Sequence, residues 1–465
     1  MDNERRCKLL LIDAIDKYGV YADQNLKEFI YGLENRFNIR NEVDFFSQLV
    51  NFSKNKDIPY HGWFKYREGF SHTLIKELIH KCGMAQDEYV LDPFCGSGTT
   101  VVEAALNGFS GIGIDINPMS AFISEVKCRS YTTEEINHIK TVLPGIIASM
   151  QRTNMSQEYK HKYQEVQKFF NEHNFERLIS IRQVLDANKD LLGAKIYELM
   201  VCAYICVIEE VSDRKRDGNG LKTVASRVDD VEAFYLKKIE EMIIDIERYR
   251  IPADLISAID CGDAMRLSET VNKYSNIIDK TLGAIMYSPP YANSFDYFES
   301  YKMEVILADY ASDMKGIGAY RQQAVESFVG RSDERNDTRD FINWMSEEIE
   351  AAIPEKEART GKRDARTRKV PKMIKGYFTD MEKVIAESAS VLRPGKKCYI
   401  VVDQSAYLGR IVPTDLFLGA IAENYDLRVN EVIVCRIAKT SGQQIQLYPY
   451  LRDSLRESIV VLEKV

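Results

Sequence analysis

The sequence predicts an α/β protein whose frame is one parallel sheet, assembled from three stretches of chain and broken by two long insertions. Three observations predict it. Short apolar runs of strand length recur in EYVLDPF, SGIGID, LISAIDCGDA, LGAIMYSPPY, KKCYIVVDQS, LRVNEVIVCRI and ESIVVLEK. The first two flank a glycine-rich turn and a helical TTVVEAALNG closed by Gly108, a strand, turn, helix, strand unit that opens a parallel sheet. The alternation then stops twice, for long segments of different character.

Taken in order, residues 1–56 form an N-terminal helical segment, with 3.6-residue periodicity in LLLIDAIDKYG and LKEFIYGLENRF and room to be a small subdomain. Residues 57–130 hold the first piece of the frame. Residues 131–255 are a helical insertion, from TTEEINHIKTVL to VDDVEAFYLKKIEEMIIDIERY, with Thr and Asp caps. The second piece of the frame spans 256–310, a basic insertion 311–378, and the third piece 379–465. No internal repeat is present.

Composition bounds the function. With 45% hydrophobic and 28% charged residues the 465-residue chain reads as ordinary globular protein, long enough for one elaborated domain or several. The longest apolar run, Leu199 to Ile208, is short of the ~20 residues that cross a bilayer, and the start, MDNERRCKLLLIDAID, does not read as a secretory signal. The expected address is cytoplasmic, without a membrane partner. Nine cysteines form no CxxC and six histidines no HExxH, so neither disulfides nor a metal is expected. A net charge of −8 excludes a protein that coats nucleic acid over its whole surface, leaving local patches. Glu355 to Lys375 is one, with nine Lys or Arg against three acids, among them Lys362, Arg363, Arg366, Arg368 and Lys369. DRKRDGNGLK, with Arg214, Lys215 and Arg216, is a smaller one.

Three stretches carry chemistry. LDPFCGSGTT places Gly96 and Gly98 where a strand becomes a helix, so backbone amides can approach a polar ligand at a positive helix end. The pattern lacks the third glycine of a dinucleotide fingerprint and the lysine of a Walker loop. Asp115 ends the next strand, placed to accept from ribose hydroxyls, and Asp263 ends another, although a helix-capping role explains Asp263 equally well. In SPPY, Ser288 and the carbonyls of Ser288 and Pro289 are acceptors on a backbone fixed by Pro289 and Pro290, beside the ring of Tyr291. An amine-bearing planar base stacked on Tyr291 would direct its N–H bonds at those acceptors. Accepting both hydrogens favours the pyramidal nitrogen with a free lone pair, a gain realised as the transition state forms. Phe295, Tyr297, Phe298 and Tyr301 read as core packing.

DPFCGSGTT, GIGIDINP and SPPYANSFDYF, in that order, resemble the amino-group DNA methyltransferases, which transfer methyl from S-adenosylmethionine to cytosine N4 or adenine N6. The resemblance covers most of the frame and neither insertion. It implies a Rossmann-like seven-stranded methyltransferase sheet ending in an antiparallel hairpin, with the first insertion mainly helical. It further implies S-adenosylmethionine contacts at Asp92, Pro93, Phe94, Cys95, Gly96, Ser97, Gly98, Thr99, Asp115 and Asp263, with Phe70 and Ser71 lining the pocket. Catalysis falls to Ser288, Pro289, Pro290 and Tyr291. Double-stranded DNA with a specific site is the implied partner, its target base flipped out. The basic residues named above are then expected to meet DNA. A Ser in the first position of the PPY motif tilts the family's pattern to cytosine N4. Adenine N6, a guanine amino group in RNA, a glutamine amide in protein, a noncatalytic or nuclease subunit, and a companion restriction endonuclease stay open.

Overall fold

The computed structural model describes residues 11–50, 52–218, 220–331, 337 and 339–465. The start of the N-terminal segment, Asn219 of the smaller basic stretch and part of the second insertion lie outside them. Twelve strands are described: β1 Ile39–Asn41, β2 Glu88–Asp92, β3 Ser110–Asp115, β4 Arg214–Asp217, β5 Gly220–Thr223, β6 Ser257–Cys261, β7 Thr281–Tyr287, β8 Lys397–Asp403, β9 Ser405–Tyr407, β10 Arg410–Val412, β11 Leu427–Ile437 and β12 Arg456–Lys464.

Eight of them make one sheet in the order β1, β11, β12, β8, β7, β2, β3, β6. β6, β3, β2, β7 and β8 run parallel, and β12 is antiparallel to both its neighbours, β8 and β11. This is the seven-stranded Rossmann-like methyltransferase order with its terminal hairpin, extended by one strand. The addition is β1, parallel to β11. The sequence signal missed it because IRN is short and its outward side chains are polar, so no apolar run marks it. The central strands read as continuous apolar runs because helices cover both faces. The order reverses at β2: the chain leaves it for β3 and β6 on one side, then returns to β7 on the other. A crevice at the carboxyl ends of the strands follows from that reversal.

The described N-terminal residues are part of the main core. Leu11, Ile15, Leu26 and Ile30 are buried in the same apolar cluster as Ile400 and Leu416, and the Glu348 carboxylate accepts from the backbone N–H groups of Ala22 and Asp23. The helical insertion packs a second apolar core, which takes in Trp63, Phe298 and Tyr301 from outside the insertion. One described helix, Lys189–Val211, is long and apolar enough to cross a membrane. Here it is bent at Gly193, and Leu199 to Ile205 are buried within that second core.

Candidate functional site

The turn after β2 is built by short-range hydrogen bonds that the local sequence specifies. Asp92 Oδ1 accepts from Phe94 N (2.9 Å), and Cys95 N donates to Ile114 O (2.9 Å), clamping the turn to β3. Gly96 and Gly98 have φ of +52° and +90°, a region that side chains disfavour. A Cβ at Gly96 would lie 2.6 Å from the Tyr66 ring, and one at Gly98 would lie 2.9 Å from Ser124 Oγ. The turn is held from below by Ser124 Oγ, which donates to Gly96 O (2.8 Å), and by buried Lys127 Nζ, which donates to Ser97 O (3.0 Å). Both lie on the helix Pro118–Lys127.

Asp115 spends both oxygens on this architecture, accepting from Gly96 N (2.8 Å) and Asn117 N (2.8 Å), and it still lines the crevice. Burial pushes the Asp92 carboxyl up to about 7 and that of Asp115 up to about 6. Neither carboxyl has a Lys, Arg or His partner among the described residues. The crevice therefore carries one buried and one half-buried carboxyl that a cationic ligand would keep ionised.

The cavity over this turn encloses about 1030 Å³ of free space, counting its open mouth. Phe70, Asp92, Pro93, Phe94, Cys95, Gly96, Thr99, Asp115 and Asp263 line it, and so do Ser288, Pro289 and Pro290 from the end of β7. The glycine bend and the proline corner thus share one cleft. Ser71, Ser97, Gly98 and Tyr291 are not on its wall. Ser71 is buried and hydrogen-bonded to Thr73, while the Ser97 carbonyl faces Lys127. Asp263 also caps the short helix Ala264–Arg266, accepting from Met265 N (2.9 Å).

A second cavity adjoins the first. Glu68, Gly69, Phe70, Ser288 and Tyr297 line both, and the second adds Tyr291, Phe295, Asp403, Arg436 and Glu457. Phe295 and Tyr297, expected as core packing, are instead walls of this site: their rings meet edge to face at 4.7 Å, and the Tyr297 hydroxyl accepts from Tyr291 N (3.2 Å). Phe298 and Tyr301 are buried as expected, and Phe298 also lines the first cavity. Inside the cavity a hydroxyl chain runs from Ser288 Oγ, donating to Tyr291 OH (3.1 Å), to Tyr291 OH, donating to Glu457 Oε1 (3.4 Å). With its one proton directed at Tyr291, Ser288 presents only lone pairs to the cavity.

Two relations were invisible at the level of sequence. Glu457 lies 166 residues beyond Tyr291, and only the insertion of β12 between β8 and β11 brings it to the proline corner. His61, His72 and Glu103 also converge, with His61 Nε2 at 3.2 Å and His72 Nδ1 at 3.4 Å from Glu103 Oε2. Glu103 Oε1 accepts from Asn107 Nδ2 (2.8 Å), and burial drives the His61 imidazole down to about 4. A carboxylate satisfied by three donors explains this cluster as a buried hydrogen-bond network.

The basic stretches divide. Lys362, Arg363, Arg366, Arg368 and Lys369 are exposed on the turn between the helices Asp340–Thr360 and Val370–Val391. Arg368 is paired with Glu357 (2.5 Å), and Arg366 Nη2 donates to Ser294 O (2.9 Å), next to the proline corner. Lys215 is paired with Glu210 (2.6 Å), and Arg214 is bonded to the carbonyls of Asp213 and Lys168. Arg216 corrects the expectation of a DNA-facing charge. It is 4% exposed, ion-paired with Glu209 and Glu304, bonded to Ser300 O and stacked over Tyr301. Side chains alternate along a strand, so Arg216 turns inward where its neighbour Lys215 does not.

A family model described as DNA methylase matches residues 20–125, the segment that ends just past Asp115. Type II methyltransferase M.BsoBI of Geobacillus stearothermophilus is 26% identical over 463 residues, 90% of this chain and 88% of the relative. Type II methyltransferase M.AvaI of Nostoc sp. is 26% identical over 483 residues, 95% of this chain and 94% of the relative. The chain resembles the amino-group DNA methyltransferases. The structure of the rRNA methyltransferase aviRa from Streptomyces viridochromogenes aligns with a TM-score of 0.26 at 8% identity, covering 84% of this chain and 85% of that one. That likeness is too slight to carry an argument, and the fold rests on the strand order itself. Methyl transfer to DNA is the chemistry of the N6/N4 family that the sequence and these relatives point to.

Proposed function

We propose that this chain transfers the methyl group of S-adenosylmethionine to the exocyclic amino group of a flipped-out base in double-stranded DNA at a specific site, with cytosine N4 as the acceptor. The observation that carries the reading is the shared cleft: the glycine bend and Ser288 to Pro290 line one cavity, which continues past Ser288 into a second, aromatic-walled one.

S-adenosylmethionine fits the first cavity by its chemistry. It brings an ammonium and a sulfonium to a place where two carboxyls, buried Asp92 and half-buried Asp115, have no cation of their own among the described residues. Bound there, it supplies an electrophilic methyl. Asp92 to Gly96 and Thr99, with Phe70, would hold the methionine end, Asp115 would face the ribose and Asp263 the adenine. The remaining work belongs to the chain. Ser288 Oγ, polarised through Tyr291 by Glu457, accepts from the amino group, and the Tyr291 ring, with Phe295 and Tyr297, encloses the base. Stacking of this kind is worth about 1–3 kcal/mol per base, which offsets part of the few kcal/mol lost on unpairing. Ser at this position supports cytosine over adenine through the family pattern. Lys362, Arg363, Arg366 and Lys369, on the exposed turn that reaches Ser294 through Arg366, contact phosphates.

The test is transfer of label from S-adenosylmethionine to DNA, RNA and protein offered together without added metal. Label is expected in DNA, abolished by Ser288→Ala while S-adenosylmethionine binding persists. Label confined to RNA or protein would refute the reading.

A further inference from the structure

The row of side chains across the far wall of the second cavity has a consequence for which bases it accepts. Asp403, Glu457 and Arg436 stand abreast on β8, β12 and β11: Glu457 is the direct cross-strand neighbour of Asp403 on one side and of Arg436 on the other. All three line the cavity with Ser288 and Tyr291. Two adjacent carboxyls, Glu457 buried and Asp403 half-buried, do not both ionise readily beside a single cation. The geometry assigns the charge. Arg436 Nε donates to Glu457 Oε2, and the Tyr291 hydroxyl donates to Glu457 Oε1, so both oxygens of Glu457 are held as a carboxylate's would be. Among the described residues Asp403 has no such donor, and its Oδ1 is buried without a hydrogen-bond partner. Burial and the neighbouring Glu457 charge push the Asp403 carboxyl well up, and Arg436 only partly opposes them. The same cavity is lined by Lys56, Lys65, Arg67, Glu68 and Arg216 and by the hydroxyls of Tyr291 and Tyr297, both held neutral by burial, and the charges that act on Asp403 are those of Glu457 and Arg436.

The cavity thus offers an acceptor, Ser288 Oγ, and a donor in search of an acceptor, the Asp403 carboxylic acid. We propose that Asp403 reads the ring nitrogen beside the target amino group, its acid proton donated to N3 of cytosine, or N1 were the target adenine, while Ser288 accepts from the amino group. The inference rests on the methyltransferase reading and makes Asp403 a specificity-determining residue. Cytosine and adenine both present an amino donor next to a ring acceptor. Thymine presents a carbonyl next to a ring N–H, the reversed pattern, which leaves two acceptors facing each other at Ser288 and two donors at Asp403.

The experiment first maps the methylated base and its site in DNA modified by the wild-type protein. No label in DNA at this step would sink the methyltransferase reading and this inference with it. Duplexes carrying that site are then made with the target base or its analogue lacking the ring nitrogen, 3-deazacytosine (1-deazaadenine for an adenine target). The wild type should lose about 10–100-fold in kcat/KM on the analogue. Asp403→Ala should lose a similar factor on the normal site and no more on the analogue, with S-adenosylmethionine affinity unchanged. Asp403→Asn, whose amide N–H can still donate, should stay within a few-fold of wild type and keep the analogue penalty. Wild-type turnover on the analogue equal to that on the normal site would overturn the proposal without recourse to any variant. So would an analogue penalty of the same size in Asp403→Ala.

Discussion

At the scale of single residues, the account turns on protons. Tyr291 is asked to do two things, to offer a ring to the base and to relay the polarisation of Glu457 to Ser288. The two separate by mutation. Tyr291→Phe keeps the ring and breaks the hydroxyl chain, and should lower kcat about 10-fold or more, in the range of a lost transition-state hydrogen bond, with KM for DNA little changed. Tyr291→Ala should also weaken DNA binding; a rapid-quench assay with DNA titration resolves kcat from KM. Asp92 and Asp115 give a pH signature. Their folded-state pKa values, about 7 and about 6, lie above the ordinary carboxylate value because burial penalises the charge. The folded state therefore holds more protons than the unfolded one between about pH 4 and 7, and the free protein should lose stability as pH rises through that window. A cationic ligand favours the ionised carboxyls, so the thermal shift produced by S-adenosylmethionine should grow from pH 5 to pH 8. A shift that shrinks over that range would contradict the electrostatic match.

At the scale of elements, the glycine turn and the proline corner were legible in the sequence because each is specified within about ten residues. Positive φ demands glycine, paired prolines fix a backbone, and an apolar run ends before each. Gly98→Ala, with φ at +90° and Ser124 in the way, should cost about 1–3 kcal/mol of strain and most of the S-adenosylmethionine affinity, read by calorimetry. What lay beyond reading was anything set by pairing between distant strands. Asp403, Arg436 and Glu457 belong to three separate runs, and only the placement of β12 between β8 and β11 aligns them. The same limit explains Arg216. A basic run looks solvated until the partners Glu209 and Glu304, one on a neighbouring helix and one 88 residues on, are known to meet it. Arg216→Ala strands two buried carboxylates and should destabilise the fold by about 3–5 kcal/mol, measurable by urea denaturation. An effect on DNA affinity alone, with stability intact, would restore the original expectation for this residue.

Across the whole molecule, the sheet supplies one reactive edge and the insertions surround it. The basic turn between the helices Asp340–Thr360 and Val370–Val391 reaches Ser294, four residues past the proline corner, through Arg366, and on the function proposed above it meets the strand that carries the flipped base. Replacing Lys362, Arg363 and Arg366 together by Ala should weaken DNA binding uniformly across sequences and reduce the salt slope by about 3. Arg368, already paired with Glu357, should contribute little. The most direct test of the central claim, a methyl donor and an exocyclic amine meeting in one cleft, is the chemical identity of the product. DNA methylated by the wild-type protein is digested to nucleosides and the methylated base identified by mass spectrometry against standards. The account predicts methyl on an exocyclic amino nitrogen, as N4-methyldeoxycytidine; methyl on a ring carbon, as 5-methyldeoxycytidine, would contradict it.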